Sequence, residues 1–171
     1  MVKWQWGMEP KPTEYQDFAD VWATPAVARI YDANCDGKVD LADPPNIVFV
    51  SGNAKRTCCS CSGDAVSTCL TGVLRMLDGR NGREIWSLPK ASATSTGFAG
   101  MSVAVGDVDG DQLLDIIAMT GEGHIAVINH DGTVKAISTE KADGHDAGTF
   151  GWGGGIAIGD MDNDGRVEIA Y

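Results

Sequence analysis

The chain has 171 residues, of which 24 are acidic and 13 basic, for a formal charge of −11. That charge, with no clustered basic stretch, argues against nucleic acid or anionic membrane as partner, because nothing on the chain neutralises phosphates. No run of 18 apolar residues spans a membrane, and 22 glycines with six prolines suit one turn-rich β domain with its own core.

In chain order, "MVKWQWGMEP" lacks the apolar centre of a signal peptide, so an export signal is expected outside these residues. Within residues 1–23, read as an N-terminal strand and linker, "VKWQW" alternates like a short strand with no sheet of its own. Residues 24–90 then give "PAVARIY", the acidic "DANCDGKVD", "NIVFVSG", a cysteine-rich insert over 52–72, and "GVLRMLDGRNGREIWSL" with Asp-Gly and Asn-Gly turn signals. Residues 99–138 repeat the order: "SVAVGDV", an acidic loop, "IIAMTGEG", then "HIAVINHDG" and "TVKAIS" across an Asp-Gly turn. Residues 150–171 supply only "GIAIGDM", a third acidic loop and "VEIAY". Each unit reads as strand, acidic loop, strand, variable loop, strand, tight turn, strand. The expected fold is therefore all-β, with β-propeller-like blades of four antiparallel strands, about two and a half of them, in an incomplete ring. An incomplete ring predicts completion by the rest of a longer chain, or by strand addition from "VKWQW" of another copy, giving a homo-oligomer or filament.

The three acidic loops share a spacing, with oxygen side chains at positions 1, 3, 5 and 9. These are Asp32, Asn34, Asp36 and Asp40; Asp107, Asp109, Asp111 and Asp115; and Asp160, Asp162, Asp164 and Glu168. Eleven of the 24 acidic residues fall in these windows, so the acidity is local and suits a hard divalent cation. Ca²⁺ takes six to eight oxygens, and alternate carboxylates with a position-7 carbonyl, here from Lys38, Leu113 and Arg166, can wrap one ion per loop. About three ions are expected, which would bring the formal charge from −11 to about −5. The first loop extends to Asp43 and so matches EF-hand positions 1, 3, 5, 9 and 12. Helices on both sides would be needed for an EF-hand, and Pro44 and Pro45 oppose the second of them.

Cys35, Cys58, Cys59, Cys61 and Cys69 lack paired zinc spacing and a nearby histidine. Disulfides stapling the insert are the preferred reading, which implies an oxidising compartment and leaves one odd thiol, with Cys35 tied to the insert or to another chain.

On "FAGMSVAVGDVDGDQLLDIIA" and "FGWGGGIAIGDMDNDGRVEIA" the chain resembles the FG-GAP, or integrin-like, calcium-binding β-propeller repeats of extracellular adhesion proteins and secreted bacterial proteins. Phe150-Gly151 matches the family's Phe-Gly pair, Phe98-Ala99 departs from it, and no Gly-Ala-Pro triplet is present. The resemblance implies that the acidic loop joins the first two strands of each blade and binds Ca²⁺ through the positions named above. "LRMLDGRNGREIW" is similar instead to quinoprotein propellers, with Trp86 read as packing between blades.

His124, His130 and His145 occupy no catalytic motif and are read as structural or solvated, so no enzymatic activity is expected. The alternative is a fragment of a secreted propeller enzyme, a polysaccharide lyase or a quinoprotein-like protein. Alternating strand direction puts the calcium loops at one end and the insert and interblade connections at the other. A protein or carbohydrate ligand is expected at that other end, with Phe150 and Trp152 as aromatic contacts if they do not pack between blades.

Overall fold

The computed structural model describes residues 2–7, 9–53, 71–142 and 154–171. Among these the chain is all-β without helix, arranged as three antiparallel sheets that do not close into a ring. The first holds β1 (Ala26–Ala28), β2 (Asn46–Gly52), β3 (Gly72–Asp78) and β4 (Glu84–Leu88), neighbours in chain order. The second repeats that meander with β5 (Ala104–Gly106), β6 (Asp115–Met119), β7 (His124–Ile128) and β8 (Val134–Lys141), while the third has β9 (Ala157–Gly159) paired with β10 (Glu168–Ala170). With no flanking helices among the described residues, the acidic loops are not helical EF-hands. The Asp-Gly signal between β7 and β8 turns the chain as expected: Gly132 takes φ +86° and its N–H bonds the Asn129 carbonyl at 2.9 Å.

The apolar runs are explained by burial on both faces, because successive side chains of a strand point to opposite sides. In β6, Ile116 and Ala118 join Val48, Val50, Leu74 and Met76 of the first sheet in one core. Ile117 and Met119 face the other way, into a second core with Ile156, Ile158 and Ile169 of the third sheet. The central sheet is thus sandwiched between its neighbours, and β1, β5 and β9 lie side by side. Trp86 of β4 docks on the second sheet, its indole N–H bonding the His130 carbonyl at 3.1 Å while its ring covers Gly132. This is the interblade packing read for Trp86.

The N-terminal segment departs from expectation. Residues 2–6 form no strand, because the side chains of Trp4 and Trp6 are engaged by the chain's own first sheet. Trp4 bonds the Gly79 carbonyl through its indole N–H, and Trp6 packs edge-on against Phe49 with ring centroids 4.9 Å apart. Beneath them Arg75 is wholly buried, paired with Glu84 at 2.9 Å and donating to the carbonyls of Glu14, Tyr15 and Phe18. Among the described residues, this region's strand-like pairing is an isolated bridge between Asp20 and Gly52.

Candidate metal centre

In the second and third sheets the acidic loop fills the whole connection between the first two strands. Gly106 pairs with Asp115 and Gly159 with Glu168, so the position-9 carboxylate is the first residue of the second strand and is held by the ladder. The first connection is longer, since Ala28 pairs with Asn46.

Within each loop one hydrogen-bond scaffold recurs. The position-1 carboxylate accepts the N–H of position 6: Gly37 to Asp32 at 2.8 Å, Gln112 to Asp107 at 2.9 Å, Gly165 to Asp160 at 3.0 Å. Position 3 accepts the N–H of position 5, at 2.9 Å for Asn34, 3.3 Å for Asp109 and 3.1 Å for Asp162. Position 5 accepts the N–H of position 7, so Lys38, Leu113 and Arg166 donate to Asp36, Asp111 and Asp164. Such side-chain-to-backbone bonds turn the loop tightly and hold its carboxylates close despite their like charge. Positions 4 and 6 both have positive φ in every copy: Cys35 and Gly37, Gly110 and Gln112, Asn163 and Gly165. One glycine per loop relieves one of the two, which is why the second loop can carry its glycine at position 4 and glutamine at position 6.

The carboxylates converge differently in the three copies. Asp107, Asp109 and Asp115 each offer an oxygen within 4.8 Å of the others, as do Asp160, Asp162 and Glu168. No such carboxylate trio occurs in the first loop among the described residues, where position 3 is the amide Asn34 and Asp40 accepts the Ala42 N–H instead. There Asp43 does what position 9 does elsewhere. Its carboxylate accepts the position-2 N–H of Ala33 at 2.8 Å, as Asp115 accepts that of Val108 and Glu168 that of Met161. Asp43 is buried, and the Asp40 N–H bonded to it is the main cause that holds its carboxyl below the usual range.

Lys135, the second residue of β8, reaches the same end of the second sheet. Its ammonium lies 2.7 Å from Asp109, 2.9 Å from Asp115 and 3.6 Å from Asp111. The hydrogen bond to Asp109 is the main cause that holds the ammonium well above its usual range, and the same contact lowers the Asp109 carboxyl. A cation thus stands among these oxygens already, in a donor set of hard carboxylates that fits a divalent ion. Asp160, Asp162 and Glu168 have no ion-pair partner among the described residues. Between the second and third loops lies a cleft of about 410 Å³ lined by Asp107, Asp109, Gly110, Gly165 and Arg166.

The opposite end carries a smaller polar hollow of about 140 Å³ formed by Ser92, Ser95, Thr120, Glu122 and His124. Thr71, where the cysteine-rich insert rejoins the sheet, bonds the Thr96 carbonyl there. His124 has its Nδ1 bonded to the Ser138 carbonyl. Cys35 is free and exposed; Cys58, Cys59, Cys61, Cys69, His145, Phe150 and Trp152 lie outside the described residues.

Three sheets in sequence, each with an Asp-rich loop between its first two strands, define a repeated β unit, and residues 107–171 match the model of the FG-GAP-like repeat. A solved structure, that of the V. cholerae biofilm matrix protein Bap1, matches with a TM-score of 0.70 and 27% identity over 99% of this chain and 25% of that one. The chain spans about a quarter of that protein's length. No curated protein sequence matches it.

Proposed function

We propose that this chain is a non-catalytic, calcium-binding module of an extracellular protein, in which about three Ca²⁺ ions rigidify the loops between the first and second strands. The observation that carries the reading is the scaffold repeated in all three loops, which holds carboxylates together against their repulsion. The candidate ligands are Asp32, Asn34, Asp36, Asp40 and Asp43; Asp107, Asp109, Asp111 and Asp115; and Asp160, Asp162, Asp164 and Glu168. The carbonyls of Lys38, Leu113 and Arg166 complete the sets. The likeness to a biofilm matrix protein supports an interaction or structural role outside the cell. The polar hollow opposite the acidic loops supports recognition of a protein or carbohydrate at that end.

Calcium should therefore stabilise the fold by mass action, by about 2.7 kcal/mol per site at a hundredfold excess over Kd. Equilibrium dialysis is expected to count about three ions per chain, and melting in millimolar Ca²⁺ to occur well above melting in chelator. Asp162→Ala should remove one ion. Identical melting curves in the two conditions, with no ion bound, would sink the proposal.

A further inference from the structure

Lys135 distinguishes the second loop from the third, although the two share their carboxylate geometry. It reaches three carboxylates of the second loop, while the third trio has no such partner among the described residues. The corresponding second residue of β4 is Ile85, so the first sheet places no ammonium there either. An ammonium and a divalent ion compete for the oxygens of Asp109 and Asp115, because the two cations repel at such close quarters. Lys135 is attached by a flexible stem on an outer strand, with its side chain about one quarter exposed, so it is free to swing outward.

We propose that Lys135 is a tethered competitor cation that neutralises the second loop when calcium is absent and is displaced when the ion enters. This rests on the calcium reading of the loops. The second loop is then the weaker site, and the module loads in sequence, the third loop before the second. The lysine also supplies what the ion would supply, holding the empty loop closed, so its removal weakens the calcium-free protein while tightening calcium binding.

The test is calorimetric titration of the full chain with CaCl₂, using wild type, Lys135→Met and Lys135→Met combined with Asp162→Ala. The methionine should tighten the weaker site about tenfold, a change typical of a small network of partly exposed ion pairs. The third-loop site should stay unchanged, and melting in chelator should fall. Adding Asp162→Ala should abolish the tighter site and keep the improved one. A second readout needs no substitution: acetylation of Lys135 by an amine-reactive ester, followed by mass spectrometry, should rise several-fold when Ca²⁺ is added. Calcium binding with unchanged second-site affinity in Lys135→Met, or with unchanged Lys135 reactivity, would overturn the competitor role alone. No binding by any loop of the wild type would overturn the calcium reading beneath it.

Discussion

At position 6 of the third loop, Gly165 has φ +87° and nothing within 4 Å of where a Cβ would sit. Its role is conformational and not steric. An L-residue with a side chain held in the left-handed region costs roughly 1–2 kcal/mol, so Gly165→Ala should destabilise the chain by about 1 kcal/mol in urea unfolding with chelator present. Gly159→Ala also meets open space but has no positive φ, and should leave stability unchanged or slightly raised; equal losses in the two variants would refute the argument. The same reasoning marks how far the site was legible in sequence. Alternate oxygens at positions 1, 3, 5 and 9 identify the loops, because the side-chain-to-backbone bonds that turn each loop need acceptors at positions 1, 3 and 5 and the second strand begins at or near position 9. The use of Asp43 in the place of Asp115 and Glu168 depends on the longer connection from Ala28 to Asn46, which only the strand register reveals. Lys135 gives no local signal at all: it sits alone between Val134 and Ala136, and the β7–β8 pairing carries it to the acidic loop.

At the level of the element, every apolar run flanking an acidic loop is a strand, since two-faced burial leaves a continuous hydrophobic signature. "VKWQW" shows the limit of that rule. Alternation of tryptophan with polar residues suits a strand, yet the rings are consumed by contacts with Gly79, Phe49 and Arg75. Arg75 is the anchor of this clamp and its Glu84 partner is only 8% exposed. Arg75→Met should therefore cost about 3 kcal/mol, because it strands a buried carboxylate, and should open the Lys3–Trp4 bond to trypsin. Combining it with Glu84→Gln should recover part of the stability but not the protection. Full protection in the single variant would show that the tryptophans suffice. At the other end of the sheets, Glu122 ties the first interblade connection to the β6–β7 turn through the Thr96 hydroxyl and N–H. Burial pushes its carboxyl up, but these hydrogen bonds outweigh burial and hold it below the usual range. Its folded pKa is depressed, so its contribution is complete above about pH 4.5 and is lost as pH falls through the lower folded value. Glu122→Gln should lower stability at neutral pH, and the gap from wild type should close in acid; a gap independent of pH would refute the linkage.

At the scale of the whole molecule the sheets differ in how completely they are paired. The first two have four strands each, whereas the third has β9 and β10 alone, with Met161, Val167 and Tyr171 exposed beside them. Among the described residues no strand pairs with the far side of β10, and such an edge is a template for another strand. The N-terminal segment does not supply that strand, because residues 2–6 are held on the first sheet. Removing residues 2–7 should expose Phe49 and lower stability without altering what happens at β10. We predict that the 171-residue chain associates through β10 in a concentration-dependent way, visible by light scattering. Val167→Lys with Tyr171→Lys should suppress the association, since charges along an open edge oppose pairing with an identical one. Ile169, which packs into the second core, is left untouched by this design, so the third loop should still bind calcium. A wild type that stays monomeric across the concentration series would show that β10 is no docking edge. Association that survives both lysines would place the contact elsewhere, with the polar hollow around Glu122 as the next surface to substitute.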